Sequence, residues 1–136
     1  LTSAYVSSKL ALEGLSESMA DEIDQFGTKV VLIEPGVIKT NFDHNLKLGK
    51  KVSTTNDRNS PYADITEKRI AGFKPRFENG LPAIEVAKVI LKAITSKNVP
   101  SESRYLVGND AFKLMEIRKN RSDREFRRLV MEGVLK

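Results

Sequence analysis

The sequence contains no cysteine and only 1 histidine among its 136 residues. The absence of cysteine excludes disulfide scaffolds, thiolate nucleophiles and metal sites built on thiolates. A single histidine, His44, excludes multi-histidine metal sites and leaves any Ser-His-Asp triad dependent on one loop residue. No apolar run approaches the roughly 18 residues of a membrane span, and the N-terminus lacks the apolar core of a signal peptide. We therefore expect a cytoplasmic protein with no metal site.

The composition is typical of a folded globular domain. Hydrophobic residues make up 40% of the chain and charged residues 30%, unlike the composition of a disordered tail. The length allows one domain and excludes a cofactor domain joined to a separate substrate domain. Lysine and arginine number 23 against 18 aspartates and glutamates, which gives a net charge of +5. That excess suits either an anionic cofactor or nucleic acid, so a motif must decide between them.

The apolar pattern predicts an alternating order of helices and strands. Apolar residues at helical spacing predict helices over residues 4–26, 82–94, 112–119 and 122–134. β-Branched runs predict two short buried strands, over residues 29–34 and 104–107. This order is typical of the tail of an α/β arrangement. Because two strands alone do not form a stable doubly wound sheet, we expect further strands to precede Leu1.

Residues 41–81 form a long polar connection with one amphipathic stretch before Pro75. A connection of this length in a compact domain is typical of a functional or mobile segment, so we expect a substrate lid. The stretch has an apolar face with no core of its own. We expect four apolar residues of the segment to form the wall over the substrate: Tyr62, Ile65, Phe73 and Phe77.

Tyr5 and Lys9 lie four residues apart on the first predicted helix, so their side chains share one face. A free phenol ionises only at about pH 10, but a fixed ammonium nearby stabilises the phenolate. A tyrosine in that setting can serve as a proton shuttle near neutral pH. A Tyr-x-x-x-Lys pair also arises by chance as a solvated helix pair, so the interpretation needs a second motif.

The second motif is the turn Pro35-Gly36-Val37-Ile38-Lys39-Thr40, which follows the first predicted strand. Open α/β sheets bind ligands at the carboxyl ends of their strands, and a glycine there lets a cofactor ring approach the backbone. With both motifs present, residues 1–108 resemble the short-chain dehydrogenase/reductase family. The resemblance implies the C-terminal half of a Rossmann-like, doubly wound parallel sheet over 1–108. Residues 109–136 then form a basic helical extension.

The resemblance implies an NAD(P)-dependent oxidoreductase that transfers a hydride between nicotinamide and a carbonyl or alcohol substrate. It implies that Tyr5 is the general acid/base and also contacts the cofactor, and that Lys9 binds the nicotinamide ribose and favours the phenolate. Thr40 would hydrogen-bond the carboxamide or the adjacent phosphate. The backbone that would face the nicotinamide belongs to Pro35, Gly36, Val37 and Ile38. The cofactor that the resemblance implies is NAD or NADP. Both stay open because the residue that selects between them follows a strand earlier than those in this sequence.

Two features of the family pattern are absent from the sequence. No two of the 8 glycines lie two positions apart, as a G-x-G phosphate loop requires. The family's catalytic serine precedes the tyrosine, and Ser3, Ser7 and Ser8 lie too close to Tyr5 to replace it. We therefore expect the chain to be part of a longer polypeptide, to carry half of an active site and to be inactive alone.

The basic tail supports an alternative interpretation. Residues 110–136 carry eight lysines and arginines against five acids, so a non-catalytic helical fragment that binds nucleic acid or a partner protein is the alternative. The acids interleave with the bases, and Ser122 to Glu125 form a capping box that opens an amphipathic helix. This pattern favours a solvated helix packed on its own domain. We expect no nucleic-acid or membrane partner, and a homo-oligomer formed through helix 4–26 in the complete protein.

Overall fold

The computed structural model describes residues 3–42, 45, 60–97 and 103–132. The helices within these ranges are α1 Ser3–Ile23, α2 Ala63–Glu78, α3 Ala83–Thr95, α4 Asn109–Asn120 and α5 Asp123–Glu132. The strands are β1 Val31–Pro35, β2 Ile38–Lys39, β3 Leu81–Pro82 and β4 Ser103–Val107. None of the described helices is long and apolar enough to cross a membrane.

The strands form two parallel pairs. β1 pairs with β4, with Val31 opposite Ser103 and Pro35 opposite Val107. β2 pairs with β3, with Ile38 opposite Leu81. Parallel neighbours need a crossover connection, and α2 and α3 lie in the connection between β1 and β4. The arrangement confirms the predicted α/β class, as part of a Rossmann-like fold with a helical C-terminal part.

Several predicted boundaries differ from the observed ones. The first helix ends at Ile23 and continues as a single 3₁₀ turn to Gly27, whose φ of 76° suits a glycine. The amphipathic stretch at helical spacing lies before Pro75, whereas α2 continues through Pro75 to Glu78. Pro75 has no N–H to donate within the helix, but its carbonyl accepts hydrogen bonds from the Asn79 backbone and side-chain nitrogens at 3.2 and 2.9 Å. These bonds close the last turn.

The core formed by the described residues is thin. Among them, the buried apolar side chains are those of Ala20, Ala93 and Val107. The strand β1 was predicted to be buried, but Val31 to Glu34 are only half-buried. Large apolar side chains remain exposed, such as Phe26 at 76% and Ile94 at 75%. The described residues therefore bury β1 only in part.

An ionic cluster joins α1 to the parallel pair. Arg104 on β4 contacts Glu13 and Glu17 on α1 and also Glu34 on β1. The hydrogen bond with Glu17, supported by the charge of Glu34, raises the pKa of Arg104 although partial burial opposes the shift. Hydrogen bonds between a guanidinium and carboxylates are among the stronger ones in proteins. The cluster therefore fixes α1, which carries Tyr5, relative to β1.

The predicted capping box at the start of α5 is confirmed. The Ser122 hydroxyl donates to the Glu125 carboxylate at 2.8 Å, and the Ser122 backbone N–H donates to the same oxygen at 3.1 Å. The Glu125 N–H donates in return to the Ser122 hydroxyl at 3.4 Å. These bonds from Ser122 lower the pKa of Glu125.

Candidate active site

The helix α1 places Tyr5 and Lys9 side by side. Their four-residue spacing puts both side chains on one face, and the Lys9 ammonium lies 5.6 Å from the centroid of the Tyr5 ring. That distance is within the range of a cation–π interaction. Both side chains are exposed, Tyr5 at 51%. The structure thus brings the two residues together at the surface, and their catalytic and cofactor-binding roles stay predictions.

The turn from Pro35 to Ile38 lies at the carboxyl end of β1. The Gly36 N–H donates to the Val107 carbonyl on β4 at 2.9 Å, and the Leu81 N–H donates to the Val37 carbonyl at 2.9 Å. The turn is therefore bound to β4 on one side and to β3 on the other. This end of a parallel pair is where open α/β sheets bind ligands. The β2–β3 pairing was not predicted, because two residues carry no periodicity.

Phe42 connects Tyr5 with the chain that follows the turn. Its ring centroid lies 6.0 Å from that of Tyr5 at an interplanar angle of 64°, and 5.6 Å from that of Phe77 on α2 at 39°. Both arrangements are favourable aromatic contacts. The Thr40 hydroxyl accepts a hydrogen bond from the Phe42 N–H at 3.3 Å. The sequence predicts Phe77 as a wall residue but gives no signal for Phe42, which stands in a polar stretch.

Two other predicted wall residues, Tyr62 and Ile65, are more exposed than Phe77. Tyr62, which precedes α2, is 65% exposed, and Ile65 on α2 is 44% exposed. The side chain of Phe73 lies outside the described part of the structure, as does His44. The lid role of residues 41–81 therefore stays a prediction.

Asp110 is a further residue at this site, and the sequence analysis missed it. It lies in the first turn of α4 and its Oδ2 accepts a hydrogen bond from the Val37 N–H at 2.6 Å. A Cβ atom at Gly36 would lie 1.9 Å from Oδ1 of Asp110. The glycine at position 36 therefore leaves the space that the Asp110 carboxylate occupies. The sequence analysis explained this glycine by the approach of a cofactor ring, and the structure gives it a second reason.

The polar groups on this surface fit a nicotinamide nucleotide chemically. The Lys9 ammonium, the Tyr5 hydroxyl and the Thr40 hydroxyl belong to exposed residues, and such groups hydrogen-bond ribose hydroxyls, amides and phosphates. Lys9 also supplies a positive charge toward an anionic ligand. Within the described ranges, no group of three or more histidines or acids could hold a metal ion.

Comparisons with known proteins indicate the family to which the chain is similar. Residues 1–51 match the family model of short chain dehydrogenases. The chain is 30% identical over 122 residues to an uncharacterized oxidoreductase of Schizosaccharomyces pombe, an alignment that covers 90% of this chain and 48% of that protein. It is 31% identical over 100 residues to 3-ketodihydrosphingosine reductase of Bacteroides thetaiotaomicron, covering 74% of this chain and 36% of the relative.

A third relative is retinol dehydrogenase 8 of Bos taurus, with 36% identity over 107 residues. That alignment covers 74% of this chain and 33% of the relative. The chain therefore spans about half, or less, of the length of the curated relatives that it matches.

Proposed function

Because the chain belongs to the short-chain dehydrogenase/reductase family, we propose that the complete protein is an NAD(P)-dependent oxidoreductase acting on a carbonyl or alcohol. The observation that carries this proposal is the Lys9 ammonium 5.6 Å from the centroid of the Tyr5 ring. The pair lies on an exposed helix face beside Phe42. The names of two relatives, a reductase and a dehydrogenase, support the same class of reaction.

In the proposed reaction, Tyr5 handles the proton. Lys9, Thr40 and the backbone of residues 35–38 would hold a nicotinamide, which would supply hydride-transfer chemistry between its ring and the substrate carbon. The Tyr5 hydroxyl donates its proton to the carbonyl oxygen during reduction, and the phenolate accepts the alcohol proton during oxidation. Lys9 stabilises the phenolate by its positive charge and binds the ribose hydroxyls. Thr40 and the backbone of residues 35–38 orient the nicotinamide.

We propose that this chain forms the C-terminal half of the catalytic domain over 1–108, with 109–136 as a helical extension. The chain has no G-x-G pair, so the phosphate-binding loop and the catalytic serine belong to another segment of the complete protein. The 48% coverage of the S. pombe relative supports this division. The incomplete burial of β1 supports it as well, because strands of parallel sheets are normally buried on both faces.

Replacing Lys9 by methionine in the complete protein tests the proposed function. Lys9→Met keeps an unbranched side chain and removes the charge that favours the phenolate and the contact with the ribose. We expect turnover to fall about 10-fold or more and the Kd of NADH or NADPH to rise by a similar factor. Initial rates with a panel of aldehydes and ketones, together with cofactor fluorescence titrations, measure these changes.

The matched control is Lys88→Met. Lys88 is an exposed lysine on α3 that pairs with Glu85 of the same helix, at 2.7 Å. This variant should leave turnover and cofactor binding as they are. Unchanged turnover and an unchanged Kd in Lys9→Met would contradict the proposed role of Lys9.

The proposed lid predicts a change in hydrogen exchange. Phe77 on α2 contacts Phe42, which in turn contacts Tyr5. We therefore expect an occupied site to hold α2 more firmly against Phe42. Adding NADH or NADPH together with a carbonyl substrate should slow amide exchange over residues 60–81 about 10-fold or more. The helix α5 is the internal control and should exchange at the same rate with and without ligands. Equal exchange over 60–81 in both states would identify a fixed subdomain instead of a lid.

A further inference from the structure

We infer that Asp110 is a positioning residue that holds the nicotinamide-facing turn after β1, an inference that rests on the proposed function. The carboxylate comes from α4, in the predicted helical extension, and reaches a turn 73 positions earlier in the chain. It accepts the Val37 N–H at 2.6 Å. Neither of the two motifs on which the family resemblance rests includes Asp110 or any other residue of α4.

The backbone around the turn explains why a side chain is needed here. β1 and β4 pair up to Pro35 and Val107, and the Gly36 N–H makes the next bond, to the Val107 carbonyl at 2.9 Å. The chain then leaves the β1–β4 pair and enters the short β2–β3 pair. The Val37 N–H lies at this change of partner, and Asp110 provides its acceptor. Hydrogen bonds that involve an ionised group are stronger than those between neutral groups.

Two glycines make room for this one carboxylate. A Cβ at Gly36 would lie 1.9 Å from Oδ1 of Asp110, and a Cβ at Gly108 would lie 2.7 Å from the same atom. Both distances are far below van der Waals contact. Gly108 also has a φ of 99°, which side chains other than glycine rarely adopt. The two glycines and the acid therefore form one interlocked arrangement.

Two separate sets of interactions fix Tyr5 and the turn after β1 relative to the strands. The Arg104 cluster holds α1 and Tyr5 against the strands, and Asp110 holds the turn against the same pair. A displacement of about 1 Å between reacting groups can reduce a rate about 100-fold. Loss of the carboxylate would free the Val37 N–H from its acceptor and let the turn move relative to Tyr5. Cofactor affinity should therefore depend on Asp110, although Asp110 need not touch the cofactor.

The test uses Asp110→Ala in the complete protein, with NADH and NADPH as the probes. We expect the Kd of the bound cofactor to rise about 10-fold or more, the size of effect typical of losing a hydrogen bond to a charged group. The Val37 amide should exchange hydrogen faster in the absence of any ligand. Asp110→Asn keeps an acceptor oxygen at the same reach and should restore most of the affinity. Asp123→Ala is the matched control, an aspartate in the first turn of α5, and should change neither quantity.

Gly36→Ala provides a second route, because truncating Asp110 can also destabilise α4. The added methyl group displaces the carboxylate while Asp110 stays in the chain, so the same faster exchange at Val37 is expected in the absence of any ligand. In the Asp110→Ala background, Gly36→Ala should add little to this ligand-free exchange rate, which makes the two substitutions non-additive.

The outcomes separate this inference from the proposed function. An unchanged Kd and an unchanged Val37 exchange rate in Asp110→Ala, together with loss of turnover in Tyr5→Phe, would overturn the inference and leave the proposed function standing. Strictly additive effects of Gly36→Ala and Asp110→Ala on the ligand-free Val37 exchange rate would also overturn it. A wild-type protein that binds neither NADH nor NADPH would overturn the proposed function, and the inference with it.

Discussion

Tyr5→Phe in the complete protein should lower turnover about 10²-fold or more, a far larger factor than any rise in the Kd of the cofactor, while the thermal unfolding transition stays unchanged. The substitution removes only the hydroxyl, which is the proposed proton donor and acceptor. The ring remains, so the contact with Phe42 at 6.0 Å and the Lys9 ammonium over the ring at 5.6 Å are retained. Steady-state rates with a reducible carbonyl, cofactor titration and calorimetry measure the three quantities.

Tyr105→Phe is the control for this result. Tyr105 is a half-buried residue of β4 that lies opposite Ile33 in the parallel pair. Loss of its hydroxyl should leave turnover within about twofold of the wild type, as expected for a site outside the reaction. A Tyr5→Phe protein with wild-type turnover would exclude Tyr5 as the general acid/base.

The 136-residue chain expressed alone should aggregate or unfold without a cooperative transition. Strand β1 carries Leu32 and Ile33, which the described residues cover only in part. Each aliphatic side chain left in water forfeits about 1.5–3 kcal/mol, and several of them together exceed the ~5–15 kcal/mol stability of a domain. Unpaired strand edges also favour association. Cofactor binding and turnover should be absent from this preparation.

Size-exclusion chromatography and scanning calorimetry test this expectation. The complete protein is the control and should elute as a single species with a cooperative transition. If the chain alone were a monodisperse monomer that unfolds cooperatively, its described residues would suffice for a stable core. The proposal that another segment completes the active site would then lose one of its supports.

The parts of the fold that could be predicted are those set by local spacing. The helices α1 and α3 follow from apolar residues at three- and four-residue steps, and the capping box of α5 follows from Ser122 and Glu125. The juxtaposition of Tyr5 and Lys9 follows in the same way from one helical turn. Interactions within a few residues leave a signature in the sequence because the local geometry is known in advance.

The parts that could not be predicted depend on contacts between distant positions. β2 and β3 are two residues each, and their pairing joins Ile38 to Leu81. The bond between Val37 and Asp110 spans 73 positions, and neither residue has a pattern that indicates the other. Phe42 reaches Tyr5 across the gap between α1 and the segment after β2. Such contacts are decided by packing in three dimensions, which a single sequence does not display.

The contact between Asp110 and the turn crosses the predicted boundary between the catalytic part of the chain and its helical extension. The sequence analysis places the boundary between 108 and 109, after the last strand of the pair. A protein shortened to end at Gly108 would keep Tyr5, Lys9 and the whole Pro35–Thr40 turn, and would lose the acceptor of the Val37 N–H. Anyone trimming the protein for crystallisation would thus remove part of the site while every recognisable motif survived.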